Sequence, residues 1–244
     1  MSTAPITKPL KAKAYGHIPH LPGSRMGPGD HHCHEGQTAI ATTKKRDKHD
    51  FVSVTVKLDG SCMAVARIKG VIVPLSRAGY LATTSKYEQH QLFAQWVYAN
   101  QSRFLGILVD GERMVGEWMA QAHGTRYKLF HEPFVPFDVM VESQRRPIAE
   151  TLDKIARAEL CSPFAISLSG DPLTLGSAQQ AIEVPHHGEV DPVEGAVWRV
   201  ERRGKFDFIC KWVRPDKIDG KYLPEVSGTD LVWNWRPSAL YSCI

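Results

Sequence analysis

The sequence has no cysteine framework, no membrane-length apolar run, no internal repeat and no low-complexity linker, and each absence removes a class of protein. Its five cysteines, Cys33, Cys62, Cys161, Cys210 and Cys243, are scattered, odd in number and without C-x-x-C spacing. They read as free thiols in a reducing compartment rather than as disulfides. With no long apolar stretch and no signal-peptide pattern at the N-terminus, a cytoplasmic protein is expected. Charge of one sign is not in large excess: 30 basic against 26 acidic residues leave +4, a mild lean toward polyanions such as nucleotides or nucleic acid. What is present is ordinary for a soluble chain, with 43% apolar and 23% charged residues over 244 positions. That length suffices for one sizeable core or two small ones.

The most informative stretch is Phe51 to Ser61. Val52, Val54, Val56 and Leu58 fall on one side, and Phe51, Ser53, Thr55 and Lys57 on the other, the period of a strand with one apolar face. It runs into Asp59-Gly60, a turn signal, so Lys57 is expected at the mouth of a sheet just before the chain bends. A lysine there is either a solvated strand-end charge or a placed nucleophile. Before this stretch, residues 1–50 are rich in Pro, Gly, His and Lys, and are expected to be mostly loop. The cluster His31, His32, Cys33, His34 suggests a metal. Structural zinc sites, however, draw on separated ligand pairs, and adjacent residues on an extended chain point in opposite directions, so none is expected there.

Downstream, strands are expected to Pro74 with a hairpin turn at Lys69-Gly70, then an amphipathic helix over Lys86–Leu105. Strands follow at Arg113–Trp118 and Phe134–Val141, and helices at Pro147–Leu160 and Ser177–Ile182. Val193 to Val213 reads as a hairpin around Arg203-Gly204. With Arg202 opposite Lys205, Glu194 would face Val213, Ala196 would face Lys211, and Glu194 and Lys211 would be diagonal neighbours on one face. The tail at 215–244, with Trp233, Trp235 and Tyr241, is expected to pack back, making residues 1–244 a single domain.

Lys57-x-Asp59-Gly60, Ser76-Arg77, Gly116-Glu117-Trp118, Phe137-Asp138, Glu194-Gly195 and Lys211 occur in this order. Together they resemble the covalent nucleotidyltransferases, that is, ATP-dependent RNA and DNA ligases and mRNA capping enzymes. The strings HIPHLPGSR, GEWMAQAHGTRY and EGAVWRVERRGKFDFICKWVRPDKIDGKYLPE are similar to the phage and bacterial RNA ligase group. The resemblance implies an α+β nucleotidyltransferase fold, two packed and mostly antiparallel sheets flanked by helices. It also implies an enzyme that forms a covalent lysyl-AMP, passes AMP to a 5′-phosphate on RNA and seals that end to a 3′-hydroxyl. Lys57 is then the nucleophile, which requires its neutral amine, favoured by burial or a nearby cation.

The other roles follow from the same resemblance. Arg77 would contact the ribose or the incoming 5′-phosphate, Glu117 the ribose hydroxyls and Lys211 the α-phosphate, while Phe137 would stack on adenine. Glu194 would help bind Mg2+ or Mn2+, and Asp59 would orient the lysine or the metal shell. His123 and Arg126 are candidates for the substrate edge, and His186 and His187 have no assigned role. ATP, a divalent ion and RNA ends, in a nicked duplex or otherwise, are the implied ligands. A DNA ligase, a guanylyltransferase or a non-catalytic end-binding relative is the alternative.

Three departures stand out. Cys62 occupies a position where the ligase group commonly has Asn. Lys211 is followed by Trp212 and Val213 rather than a second lysine, leaving Arg214 or Lys217 to supply that charge. Only about thirty residues follow Lys211, too few for the five-stranded OB barrel of DNA ligases and capping enzymes. A partner protein supplying an end-binding domain is left open.

Overall fold

In the computed structural model, which describes residues 8–237, β1 (Asp50–Lys57) follows the expected alternation, with Val52, Val54 and Val56 buried. It lies inside a four-stranded sheet ordered β7-β1-β8-β9, with β7 (Ala165–Gly170), β8 (Gly195–Arg202) and β9 (Lys205–Val213) all antiparallel to their neighbours. The valines meet Ala196, Trp198, Val200 and Cys210 in one core. The chain bends after Lys57, as Asp59-Gly60 suggests. The bend is not a hairpin, because β2 (Ser61–Ile68) opens a second sheet. Lys57 therefore sits where one sheet hands the chain to the other.

The second sheet has five strands ordered β3-β2-β4-β5-β6: β3 (Val71–Ser76), β4 (Glu112–Trp118), β5 (Phe134–Val141) and the short β6 (Gln144–Arg145) join β2. Lys69 and Gly70 both have positive φ, 51° and 80°, the backbone of a two-residue hairpin turn. One face of this sheet packs Met63, Val65 and Trp118 against Phe93, Trp96 and Phe104. The expected Lys86–Leu105 helix is two helices, α2 (Glu88–Ala99) and α3 (Gln101–Leu105), interrupted at Asn100. The Asn100 side chain bonds back to the Trp96 carbonyl, competing with the helical ladder.

The remaining helices are α1 (Glu35–Thr42), α4 (Ile148–Arg157), α5 (Leu175–Ala181) and α6 (Pro224–Ser227). The first was not expected, since its apolar periodicity is weak. Its start is fixed by a capping box in which His34 accepts from Gly36 and Gln37 reaches back to the His34 N–H. His34 thus caps a helix while Cys33 is buried against Thr38. Among the described residues, no group of three or more His, Cys, Asp or Glu side chains is placed to hold a metal.

The β8–β9 register differs from the expected one. Arg202 faces Lys205 and Glu201 faces Phe206 as predicted, but a bulge follows and Val200 faces Phe208. The shift places Gly195 opposite Val213 and Val197 opposite Lys211. Glu194 ends up just outside the strand rather than in it, so the face rule no longer governs where its side chain points.

Residues 19–25 run along the outer edge of β9 through Lys211 N–H to Pro19 O (3.0 Å), Leu21 N–H to Lys211 O (2.8 Å) and Arg25 N–H to Val213 O (2.9 Å). Residues 232–235 bond back to the segment after β4: Ala122 N–H donates to Val232 O and Asn234 N–H to Ala120 O, and Trp235 meets Trp118 edge-on. Tyr241 and Cys243 lie outside the described residues. Among the described residues there is no closed barrel and no helix long and apolar enough to cross a membrane.

Candidate active site

The two sheets enclose a cleft of about 580 Å³, within the range of small-molecule sites. Lys57, Asp59, Arg77, Glu117, Phe137, Glu194 and Lys211 all line it. The first sheet contributes Lys57 from the end of β1, Glu194 from just before β8 and Lys211 from β9. From the second come Glu117 on β4, Phe137 on β5 and Arg77 just after β3.

Lys57 is only partly accessible, its side chain 22% exposed, and its ammonium donates to the Glu194 carboxylate. Burial pushes the Lys57 amine down, but the carboxylates of Glu194, Glu117 and Asp59 outweigh it and hold the amine above its ordinary value. This corrects the expectation that burial or a nearby cation leaves the amine neutral: with the carboxylates facing it, the lysine is charged. Burial raises Glu194 in turn, yet Lys57 and Lys217 together hold its carboxyl below the usual range.

Lys217 is the cation the sequence left undecided. Its ammonium bonds Asp59 Oδ1 at 3.0 Å and also the Glu194 carboxylate, whereas Arg214 turns away to Asp216 at 2.7 Å. Asp59 is fixed further by the Gly124 N–H on Oδ2 at 2.8 Å.

Glu117 accepts from the Gly60 N–H at 3.0 Å. Burial, with Glu194 and Asp59 nearby, outweighs the opposing pull of Lys57 and raises its carboxyl to about 7. Cys62 faces Glu117 across the β2–β4 ladder. Burial and that carboxylate push its thiol up, so it stays protonated. At this position the chain offers a weak S–H donor where an amide would both donate and accept.

Phe137 enters the cleft by way of a β-bulge. Val115 pairs with Asp138 and Gly116 with Pro136, leaving Phe137 unpaired between them; such an extra residue re-aims its side chain. The ring meets Tyr15 edge-on at 5.3 Å. A side chain at Gly116 would sit 2.7 Å from Pro136 Cα and Val135 O, so the glycine makes room for the bulge. Gly195, after Glu194, is equally constrained, since a Cβ there would lie 1.9 Å from Trp212 O.

Lys211 makes no hydrogen bond or ion pair through its ammonium among the described residues. Burial, then Lys57 and Arg77, lower its amine despite Asp30 and Glu194. Arg199, Tyr15, Ser53 and Thr55 also line the cleft and were not singled out from sequence. Ser53 and Thr55 were legible in principle, because they share the polar side of β1 with Lys57. Arg199 is held by Glu201 at 2.9 Å and by Asp138, an arrangement only tertiary structure reveals. Of the edge candidates, His123 meets Gln89 (3.1 Å) and Ser61, a residue of the cleft lining, while Arg126 pairs with Asp191 away from it. His187 accepts from the Phe164 N–H at 3.0 Å and meets His131 at 2.9 Å, a bracing role for the loop beside β7.

A family profile described as RNA ligase matches residues 50–213, a span that runs from the first residue of β1 to the last of β9. The chain belongs to the RNA ligase family. The same fold is found in solved structures of the RNA ligase of Naegleria gruberi. A lysine-to-alanine variant of that protein with ATP and Mn is 17% identical, with a TM-score of 0.54 over 86% of this chain and 61% of that one. The form with PPi is 18% identical, with a TM-score of 0.53 over 93% and 64%. This RNA ligase family member thus spans less than two thirds of those chains. A search of curated proteins finds no match.

Proposed function

We propose that the protein is an ATP-dependent RNA ligase working through a covalent lysyl-AMP, with Lys57 as the nucleophile. The observation that carries this is the convergence of Lys57, Glu117, Glu194 and Lys211, from both sheets, on one nucleotide-sized cleft. Phe137 presents a ring for the base and Glu117 a carboxyl for the ribose hydroxyls. Lys211, its ammonium unpaired among the described residues, is the charge available to the α-phosphate. Lys217 takes the place of the second lysine missing after Lys211, and it holds Glu194 and Asp59 in position.

The donors near Lys57 are hard carboxylate oxygens from Glu194 and Asp59, a set that fits Mg2+ or Mn2+ rather than zinc. Since no preformed cage of three or more ligands is present among the described residues, such an ion would draw its remaining ligands from water and phosphate. When bound, it would offset triphosphate charge. Engaging Glu194 elsewhere removes the main partner that keeps the Lys57 amine charged, which makes the neutral nucleophile accessible. AMP then passes to an RNA 5′-phosphate, and a 3′-hydroxyl displaces it to seal the strand. The flanking sequence strings favour the phage and bacterial branch of the family, and the free Cys33, Cys62, Cys161 and Cys210 suit a reducing cytoplasm.

Purified protein incubated with ATP and Mg2+ or Mn2+ should gain the mass of one AMP, and Lys57→Ala should gain none. A preference for GTP would indicate a guanylyltransferase. No adduct from the wild type under either metal would indicate an end-binding protein without catalysis. Nicked duplexes with RNA or DNA at the 3′-hydroxyl side identify the strand that is sealed.

A further inference from the structure

Residues 14–21 form a strap from one sheet to the other. At one end, the Ala14 and Tyr15 N–H groups donate to Arg77 O at 3.0 and 3.2 Å, and at the other the Leu21 N–H donates to Lys211 O at 2.8 Å. The strap lies outside the span matched by the family profile, yet its Tyr15 is buried and lines the cleft. The Tyr15 ring meets Phe137 edge-on at 5.3 Å, and its hydroxyl donates to Asp138 Oδ2 at 2.6 Å.

Phe137 and Asp138 are consecutive, and both line the cleft. In a regular strand they would point to opposite faces; the bulge brings them to one side. It also leaves Phe137 without a partner in the ladder, so the aim of the ring depends on what fixes its neighbour. Asp138 is 1% exposed, and both of its carboxylate oxygens are engaged. Oδ1 accepts from Arg199 of the first sheet, and Oδ2 accepts from Arg145 at 3.0 Å as well as from Tyr15. Arg199 donates further to Glu201 Oε1 at 2.9 Å and to Arg146 O. Glu201 Oε1 also accepts from the Ile148 N–H at 2.7 Å, at the start of α4. Buried charges paired in this way rarely stabilise a fold more than apolar side chains of similar volume would. What a paired network does provide is one fixed arrangement, and this one joins the strap, both sheets and α4 at the residue beside Phe137.

We infer that Tyr15, through its hydroxyl on Asp138, is a positioning residue that holds the Phe137 ring at the angle at which it stacks on the nucleobase. The inference rests on the reading of Phe137 as the base-stacking residue. Without the hydroxyl, Asp138 keeps its two arginines but loses its tie to the strap. The bulge can then turn, and the ring loses its fixed aim, while the packing of the two aromatic rings remains. The strap thereby sets how well the cleft holds a base, although it lies far in sequence from the strand that carries Phe137.

The test is a double-mutant cycle on the full chain, with wild type, Tyr15→Phe, Phe137→Ala and the double variant each melted to check folding. The probe is α,β-methylene-ATP with Mg2+, which binds but cannot transfer AMP, titrated by calorimetry. Tyr15→Phe keeps the ring and deletes only the hydroxyl. It should weaken binding about tenfold, as the loss of one hydrogen bond to a charged group does. With Phe137→Ala already in place, the same substitution should change binding by less than about twofold, since no ring is left to aim. Inorganic tripolyphosphate, which has no base, should bind wild type and Tyr15→Phe alike. In lysyl-AMP formation, Tyr15→Phe should raise the KM for ATP by the same factor and leave kcat unchanged; this split decides the matter where Phe137→Ala binds too weakly to titrate. Equal losses with and without the Phe137 ring would show a general loosening of the fold and overturn the inference. So would an unaffected Tyr15→Phe protein, or one that loses tripolyphosphate as readily as the nucleotide. A wild type that binds the analogue but gains no AMP from ATP would count against the ligase reading alone, and the binding cycle would still decide the role of Tyr15.

Discussion

Glu117 and Lys57 are both raised by the neighbouring carboxylates of Glu194 and Asp59, which keeps the lysine charged and, added to burial, favours the protonated form of the acid. Burial together with Glu194 and Asp59 raises the Glu117 carboxyl to about 7 from an ordinary 4.5. A carboxyl raised in the folded state contributes stability that is full below its unfolded value and is lost as pH rises through its folded value. Without ATP, the wild type should therefore lose stability from this group between about pH 4.5 and pH 7. Glu117→Gln carries no such charge. Relative to wild type it should be more stable by on the order of 1–3 kcal/mol at pH 8 and close to equal at pH 5, as read from denaturant melts. The same variant should bind ATP about tenfold more weakly, because an amide is a poorer partner for ribose hydroxyls than a carboxylate. A difference from wild type that does not grow with pH would refute the assignment. The line-up of candidates along the cleft was readable from residue types in order, since all but Phe137, which sits at the bulge inside β5, lie near a strand end or an adjoining turn. The charge state of Lys57 was not readable. It depends on carboxylates from β4 and from the segment before β8, which no local pattern places around it.

Strands and turns were legible wherever period and turn chemistry agreed: β1, β5, the Lys69-Gly70 turn and the Arg203-Gly204 turn all occur at the expected positions. What alternation could not reveal were the bulges. One displaces the β8–β9 pairing by a residue after Glu201, and the other leaves Phe137 unpaired on β5. Both irregularities lie in strands that line the cleft, where an extra residue redirects a side chain that strict pairing would have aimed elsewhere. The second bulge depends on Gly116, whose missing side chain admits Pro136 and Phe134. Gly116→Ala should destabilise the protein by about 1–3 kcal/mol through overpacking and raise the KM for ATP several-fold by shifting Phe137. Thermal melts and ATP titration of adduct formation check the two effects separately. Phe137→Ala should raise KM without a comparable stability loss, since that ring is only half-buried.

At the level of the whole molecule, the site is built by what lies outside the family-matched span as well as by what lies within it. The strap at residues 14–21 and the tail beyond Val213 carry little periodicity, and their positions follow from docking onto sheets rather than from local preference. Their roles were therefore the least legible in sequence, although the return of the tail could be guessed from its tryptophans. The tail does two separable things. Lys217 bonds Glu194 and Asp59, while Trp233 and Trp235 pack on the core that holds α2 against the second sheet. The Asn234 amide donates to Met119 O and its carbonyl accepts from the Tyr127 N–H, both at 2.9 Å. Lys217→Ala should thus lower lysyl-AMP formation by about 100-fold, the usual consequence of removing one placed electrostatic donor. Truncation after Arg214 should do both, abolishing adduct formation and lowering Tm by about 10 °C, since several kcal/mol of packing and hydrogen bonding are lost at about 2–4 °C each. A truncated chain that melts with the wild type would show that the tail is not part of the folded unit. A Lys217→Ala protein that adenylylates normally would leave Lys211 as sufficient cation for the reaction.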